Sequence, residues 1–432
     1  MFEHIQVKVE GGFDIPFPRM IPVEQKFAIT KVDDISETVH DEFLKNEVQV
    51  KIRPGMKVAV AVGSRGINNL QEIVTHVVKE IKRLGGEPFI VPAMGSHGGA
   101  TAEGQIQVLA DYGIVEQHVG CPIRASMETV LAGQLPNGIP LYFDKHAYES
   151  DAVVVVCRVK PHTDFKGEIE SGIQKMIVIG LGKHKGATFI HSLGFDQFHS
   201  VIPEAGKLLI EKTNVALAVA VIENARDETA EIVAVPSEAI CEVEPGLLVK
   251  AKAAMPKFLL DEIDVLVLEE IGKNISGSGM DPNIVGRTGS GLTEGFQAPP
   301  IQKMVVRDLT EKTHGNAAGI GIADIITTKV FNKIDFGYTY ANCITSTALL
   351  GAKIPVVLRS DKEALAVAVK TCNRITPATV KIVWIKNTLE MEHIYISETY
   401  LDLIKGRDDI AITGDPVPIE FDSEGNLTTA LF

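Results

Sequence analysis

Arg65, His97, His162, Lys175 and His191 are the side chains whose types and spacing could do chemistry. Three of them lie just past short apolar runs. Lys57–Val62 leads into Gly63-Ser64-Arg65-Gly66, Pro88–Met94 into Gly95-Ser96-His97-Gly98-Gly99, and Asp151–Val159 into Lys160-Pro161-His162-Thr163-Asp164. A fourth run, Asp264–Glu269, ends near Gly272-Lys273-Asn274. A guanidinium between glycines can fork onto a carboxylate or phosphate, helped by the N–H groups of the loop. A histidine in such a loop can act as acid or base near neutral pH. His162 follows a proline, which presets an extended entry and aims the side chain away from the strand. The same residues could be a surface arginine and capped loop histidines, but two histidines at two separate strand ends are harder to dismiss as such.

Downstream, Lys175 borders the apolar Met176–Ile179, and Lys183-His184-Lys185 follows. A lysine beside an apolar stretch can hold phosphate, or become a nucleophile if desolvation lowers its pKa. His184 and His191 are seven residues apart and would share a helix face. No HExxH or carboxylate cluster accompanies them to form a protein-only metal cage.

These residues need a scaffold, and the apolar pattern supplies one. Lys57–Val62 is rich in β-branched residues and predicts a strand; Leu70, Ile73, Val74, Val77, Val78, Ile81 and Leu84 predict a helix stopped by Gly85-Gly86. Pro88–Met94 reads as a second strand, Thr101–Tyr112 as a helix capped by Thr101, and Asp151–Val159 as a fully buried strand. Strands over Asn214–Ile222, Glu231–Val235 and Asp264–Glu269 surround a helix over Ser237–Ala254. This alternation predicts an α/β protein with a doubly wound, mostly parallel sheet. Residues 1–270 would form an N-terminal cofactor-binding domain, and 301–432 a smaller C-terminal α/β domain. The Gly-, Ser- and Asn-rich passage 271–300 would be a hinge or binding loop, with the active site in the cleft between the domains. Ligands bind beyond the carboxyl ends of strands in open α/β sheets, where the candidates lie.

Composition narrows the function classes. The chain has 432 residues, 45% of them hydrophobic and 23% charged, which describes a folded protein of more than one domain. A net charge of -14, one tryptophan and no basic block argue against a nucleic-acid surface. No apolar run is long enough for a membrane helix, and Met1 to Glu10 is polar, so neither span nor signal peptide is expected and the cytoplasm is the default. Cys121, Cys157, Cys241, Cys343 and Cys372 are far apart, exclude CxxC metal spacings, and read as buried reduced thiols. There is no Walker A loop, GxSxG elbow or GxGxxG following a strand.

Together the motifs resemble the lactate racemase family, whose members carry a nickel pincer nucleotide. Val62-Gly-Ser64-Arg65-Gly66 matches the family's Asp-x-Thr-Arg-Pro, Gly95-Ser96-His97 its Gly-Thr-His loop, and Pro161-His162 its Pro-His strand end. Lys175 and His191 keep the family's separation of sixteen residues. The resemblance implies covalent attachment of the cofactor at Lys175, a nickel ligand in His191, acid and base in His97 and His162, and further cofactor contact from Ser64. It also implies a substrate carboxylate held by Arg65, with Arg287 the nearest cation to the family's second substrate-binding residue. The implied activity is racemisation or epimerisation of a small 2-hydroxy acid by hydride transfer, with cofactor-synthesis enzymes needed for loading. Val62, Gly66 and Val285 depart from the pattern around the substrate, which implies a substrate other than lactate. The residues alone leave open a nickel-free nucleotide-dependent oxidoreductase or a small-anion-binding protein using the same strand ends.

Overall fold

A computed structural model describes residues 7–63 and 66–432. It divides into two compact units, one spanning Ile29–Met255 and the other joining the segment before Ile29 to Pro256–Phe432.

The Ile29–Met255 unit is built on five strands in the order Glu87–Pro92, Lys57–Val62, Ala152–Arg158, Val215–Glu223 and Thr229–Pro236. The first four run parallel and the last is antiparallel to its neighbour. Val58–Val62 and Ala152–Cys157 are buried throughout, as strands covered on both faces must be. The Leu70–Arg83 helix turns Ile73, Val74, Val77 and Ile81 into this core, and the chain leaves it through Gly85 at a left-handed φ of 85°. Thr101 caps the Ala102–Asp111 helix, its Oγ1 accepting the Gly104 N–H at 3.0 Å. The mostly parallel doubly wound sheet expected from the apolar runs is therefore present. A hairpin of Thr129–Gln134 with Pro140–Asp144 was not expected, although Asn137-Gly138 between two apolar runs is a strong turn signal.

The second unit carries an eight-stranded sheet in the order Val356–Leu358, Ile325–Thr327, Ile301–Val306, Ile263–Leu268, Ile382–Ile385, His393–Ser397, Met20–Gln25 and Ile410–Ile412. The first five run parallel and the others are antiparallel. This places the division differently from the boundary read at residue 270. The Ile263–Leu268 strand pairs with Ile301–Val306 and Ile382–Ile385, so it belongs to the second sheet. An apolar run announces a strand but not its partners, which are chosen by contacts distant in sequence. Passage 271–300 is likewise no hinge, because both its flanks lie in this unit. It buries Ile275, Met280, Ile284 and Val285 there, and Asp281 donates its N–H to Thr388 Oγ1 at 2.9 Å.

Three further findings bear on the sequence reading. Among the described residues no helix is long and apolar enough to cross a membrane. None of the five cysteines is in a disulfide; four are buried, but Cys241 is exposed. Arg287 lies at the amino ends of the parallel strands, opposite to where ligands bind in such sheets. Its guanidinium donates to the carbonyls of Ile322, Ile301 and Gln302 at 3.0–3.1 Å and to Asp324 Oδ2 at 2.8 Å. These bonds make it a staple between loops and remove it from the substrate-binding set.

Arg287→Met should destabilise this unit by about 2–3 kcal/mol, the scale of charged hydrogen bonds lost from a partly buried site. Denaturant unfolding followed by fluorescence of Trp384, the only tryptophan, reads the change; an unchanged midpoint would refute the staple.

Candidate active site

Parallel pairing brings the ends of the Lys57, Glu87 and Ala152 strands to one edge of the sheet. The loop after the first begins at Gly63; Ser64 and Arg65, expected to meet cofactor and substrate, lie outside the described residues. Farther along this loop, Asn68 donates its N–H to Glu223 at 2.6 Å, and Glu223 is paired with Arg158. Burial raises the Glu223 carboxyl above its usual range, against the pull of Arg158.

The second loop holds His97, which is exposed. Gly95 donates its N–H to the Gly180 carbonyl at 3.1 Å, tying this loop to the segment that follows Lys175. Gly98 has a φ of 66°, and a Cβ there would stand 2.6 Å from the Gln105 nitrogen, so only glycine lets the loop pass the helix so closely.

The third loop is closed at its base by Lys160 and Ser171, which exchange backbone hydrogen bonds at 3.0 and 3.2 Å. Within it, the sealed Glu170 carboxylate accepts the His162 N–H at 2.7 Å and Lys166 Nζ at 3.0 Å. Lys252 Nζ lies 2.6 Å from the other oxygen, an ion pair by distance whose angle misses that of a hydrogen bond. Lys166 also donates to the His162 carbonyl, so His162 is held from both sides of its backbone. Its Nδ1 accepts the Asp164 N–H at 2.9 Å, which puts the proton of the neutral ring on Nε2.

Lys175 ends a short turn over Ile173–Lys175, and buried Glu244 caps that turn by accepting the N–H groups of Ile173 and Gln174. A Cβ at Gly172 would collide with Glu244 Oε1, so glycine is required where the carboxylate enters. Burial pushes the Glu244 carboxyl up to about 7 despite these bonds. Met176–Gly180 then forms a wide turn closed by Leu181 N–H to the Met176 carbonyl at 2.9 Å, and the Lys183–His191 helix follows.

At the end of that helix His191 is half-buried, and its Nδ1 lies 2.7 Å from the Ala187 carbonyl. A carbonyl only accepts, so Nδ1 carries the proton and the neutral ring keeps a lone pair on Nε2. Burial lowers the His191 pKa below its ordinary value; the Ala187 bond opposes this, and the nearby positive charge of Lys175 adds to it. His162 and His191 both pack on Phe195, each with its ring centroid 5.9 Å away, and Phe198 lies 5.4 Å from His191. The structure thus gathers His162 and His191 around one aromatic wall, with Lys175 near enough to His191 to act on its charge and the His97 loop bonded to the segment between Lys175 and His191. Among the described residues no group of three or more His, Cys, Asp or Glu could by itself hold a metal.

Residues 18–201 match the family model of the lactate racemase N-terminal domain. Over these residues, fewer than half of the chain, the sequence is similar to that domain. A search of curated proteins finds no match. Among solved structures, the lactate racemase apoprotein from Thermoanaerobacterium thermosaccharolyticum is 13% identical, with a TM-score of 0.46 over 80% of this chain and 99% of its own. A protein from Thermotoga maritima is also 13% identical, with a TM-score of 0.48 over 83% of this chain and 96% of its own.

Reading by strand ends missed Glu170, Glu244, Phe195 and Phe198. Glu244 had a visible signal, since it occupies the apolar stripe of Ile240, Leu247, Leu248 and Ala251. Its raised pKa has a definite sign. The folded state keeps the proton between 4.5 and about 7, so the stability from this group is complete below 4.5 and is lost as pH rises through about 7. Glu244→Gln, which keeps a carbonyl acceptor, should remove that loss. Relative to wild type it should gain on the order of 3 kcal/mol from pH 4.5 to neutrality; a pH-independent difference in urea midpoints would contradict the assignment.

Proposed function

We propose that this chain is a racemase or epimerase of a small 2-hydroxy acid other than lactate, using a nickel pincer nucleotide held by Lys175 and His191. The observation that carries the reading is the state of His191. Its Nδ1 proton is committed to Ala187, its Nε2 is left as a donor, and burial and Lys175 keep the ring neutral, as a metal ligand requires. A single histidine with no supporting cluster fits a metal whose other donors come from the cofactor. The Lys175 amine, close enough to depress the His191 pKa, fits a covalent anchor beside that metal.

When bound, the group supplies an electron-poor ring that takes hydride from the substrate carbon and returns it, so that no carbanion need form. The chain's own residues manage the hydroxyl proton. With Nδ1 accepting from Asp164, neutral His162 presents an Nε2–H that can hydrogen-bond a carbonyl oxygen; to give that proton up, the ring must first be protonated on Nδ1 and leave the Asp164 N–H. His97 takes the hydroxyl proton from the opposite enantiomer, and the two exchange roles in the reverse direction. Before His162 can act as the base at Nε2, its ring must give up the Asp164 bond. Arg65 would clamp the carboxylate, leaving the carbon free to present either face. Phe165 and Phe195 pack against the His162 ring and orient it.

Co-expression with enzymes that make the cofactor should yield protein with a covalent mass adduct and about one nickel per chain. Lys175→Ala should lose the adduct, and His191→Ala should lose nickel. Because the folded His191 pKa is lowered, nickel should stay bound as pH falls through 6.5, the ordinary histidine value, and leave only below it. Absence of both adduct and nickel, or saturable NADH binding that survives both substitutions, would overturn the proposal in favour of a nickel-free oxidoreductase or binding protein. In the loaded enzyme, His97→Ala and His162→Ala should each lower kcat by roughly two to four orders of magnitude, the usual contribution of an acid or base, and a smaller loss would remove that residue from the pair.

A further inference from the structure

Lys183 is a lysine with no solvent exposure in the middle of this unit, and the mechanism above gives it no task. Its ammonium has three donors and three neighbours: the Pro92 carbonyl at 2.8 Å, Gln105 Oε1 at 2.8 Å, and Asp144 Oδ2 at 3.4 Å. The last is within ion-pair reach but is not a hydrogen bond, and that oxygen has no other partner. Asp144 Oδ1 accepts the Ala147 N–H at 2.9 Å and so caps the turn after the Pro140–Asp144 strand. Lys183 also has a φ of 54°, strained for a residue with a side chain, and it opens the helix that ends at His191.

Gln105 extends this network to His97. Its Nε2 donates to the carbonyls of Gly95 at 3.0 Å and His97 at 3.2 Å. The ammonium on its other side fixes which end of the amide is oxygen, so the orientation of Gln105 follows from the charge of Lys183. A buried cation replaced by an apolar residue often costs little stability if its counter-ion goes as well. Its retention here therefore asks for a reason beyond stability.

The geometry points to Lys183 as a positioning residue. Through Gln105 it sets the Gly95–Gly98 loop and hence His97, while its backbone starts the helix that carries His191, so one side chain holds the two parts in register. The inference rests on the proposed function for what that register serves, but the register itself can be measured without cofactor or substrate.

Amide hydrogen exchange on the full chain tests it in Lys183→Met, Gln105→Met and the double variant. The Gln105 substitution is close in size, lacks the donors, and preserves the test if Lys183→Met fails to fold. Both variants should speed exchange of the Gly95, His97 and Ala100 amides by about tenfold or more relative to the Leu70–Arg83 helix, with the double variant no faster than the singles. Unchanged loop exchange, equal acceleration across the unit, or fully additive effects would overturn the positioning role. In loaded enzyme Gln105→Met should lower kcat on the order of tenfold with little change in KM, and a loosened loop with unaltered kcat would equally overturn it. A wild-type protein that loads cofactor but turns over no 2-hydroxy acid would sink the proposed function and leave the exchange data to decide the register.

Discussion

Parallel pairing of the Lys57–Val62 strand with both Glu87–Pro92 and Ala152–Arg158 is the constraint on which the candidate site depends. Parallel strands must return through crossovers, so all three deliver their following loops to the same edge. An antiparallel partner on either side would send one loop to the opposite end and separate the histidines. The antiparallel Thr229–Pro236 strand is accommodated because it pairs beyond Val215–Glu223, away from the three loops.

Convergent loops are not yet a site, because loop backbone must find partners for its own polar groups. Here those partners are buried ionisable side chains, with Gln105 beside one of them. Glu170 holds the backbone of His162, Glu244 the turn of Lys175, Glu223 the loop after Lys57–Val62, and Lys183 with Gln105 the loop of His97. Burying ions this way contributes little to stability, since desolvation offsets most of the attraction. It does make alternative loop conformations costly, because each would leave a buried polar group unpaired. The same burial shifts the titrating groups, raising Glu244 and Glu223 and lowering His191. One physical cause therefore both holds the loops and favours the neutral form of the His191 ring.

The Ile240–Ala254 helix shows how the scaffold and site are connected. Its apolar residues pack into the unit, while Glu244 and Lys252 reach the turn of Lys175 and the carboxylate of Glu170. Neither residue is at a strand end, and neither belongs to the motifs that first drew attention. They act by fixing backbone and not by meeting a ligand; Glu244 shows in the sequence only as a carboxylate set in an apolar stripe, and Lys252 not at all.

By itself the sequence determined the five sheet strands of the Ile29–Met255 unit, its helices over Leu70–Arg83, Ala102–Asp111 and Ile240–Ala254, and the positions of its strand-end polar residues. Strand runs, helix periodicity, the stop at Gly85 and the cap at Thr101 are set by neighbours within a few residues, so they can be read without coordinates. The sixteen-residue separation of Lys175 and His191 belongs to the same class. Only the tertiary structure decided that Ile263–Leu268 joins the second sheet, that Arg287 binds carbonyls at the wrong end of its strands, and that Phe195 lies between His162 and His191. Each of these depends on residues tens to hundreds of positions apart meeting in space, and no local propensity encodes which of many apolar or charged partners will be chosen.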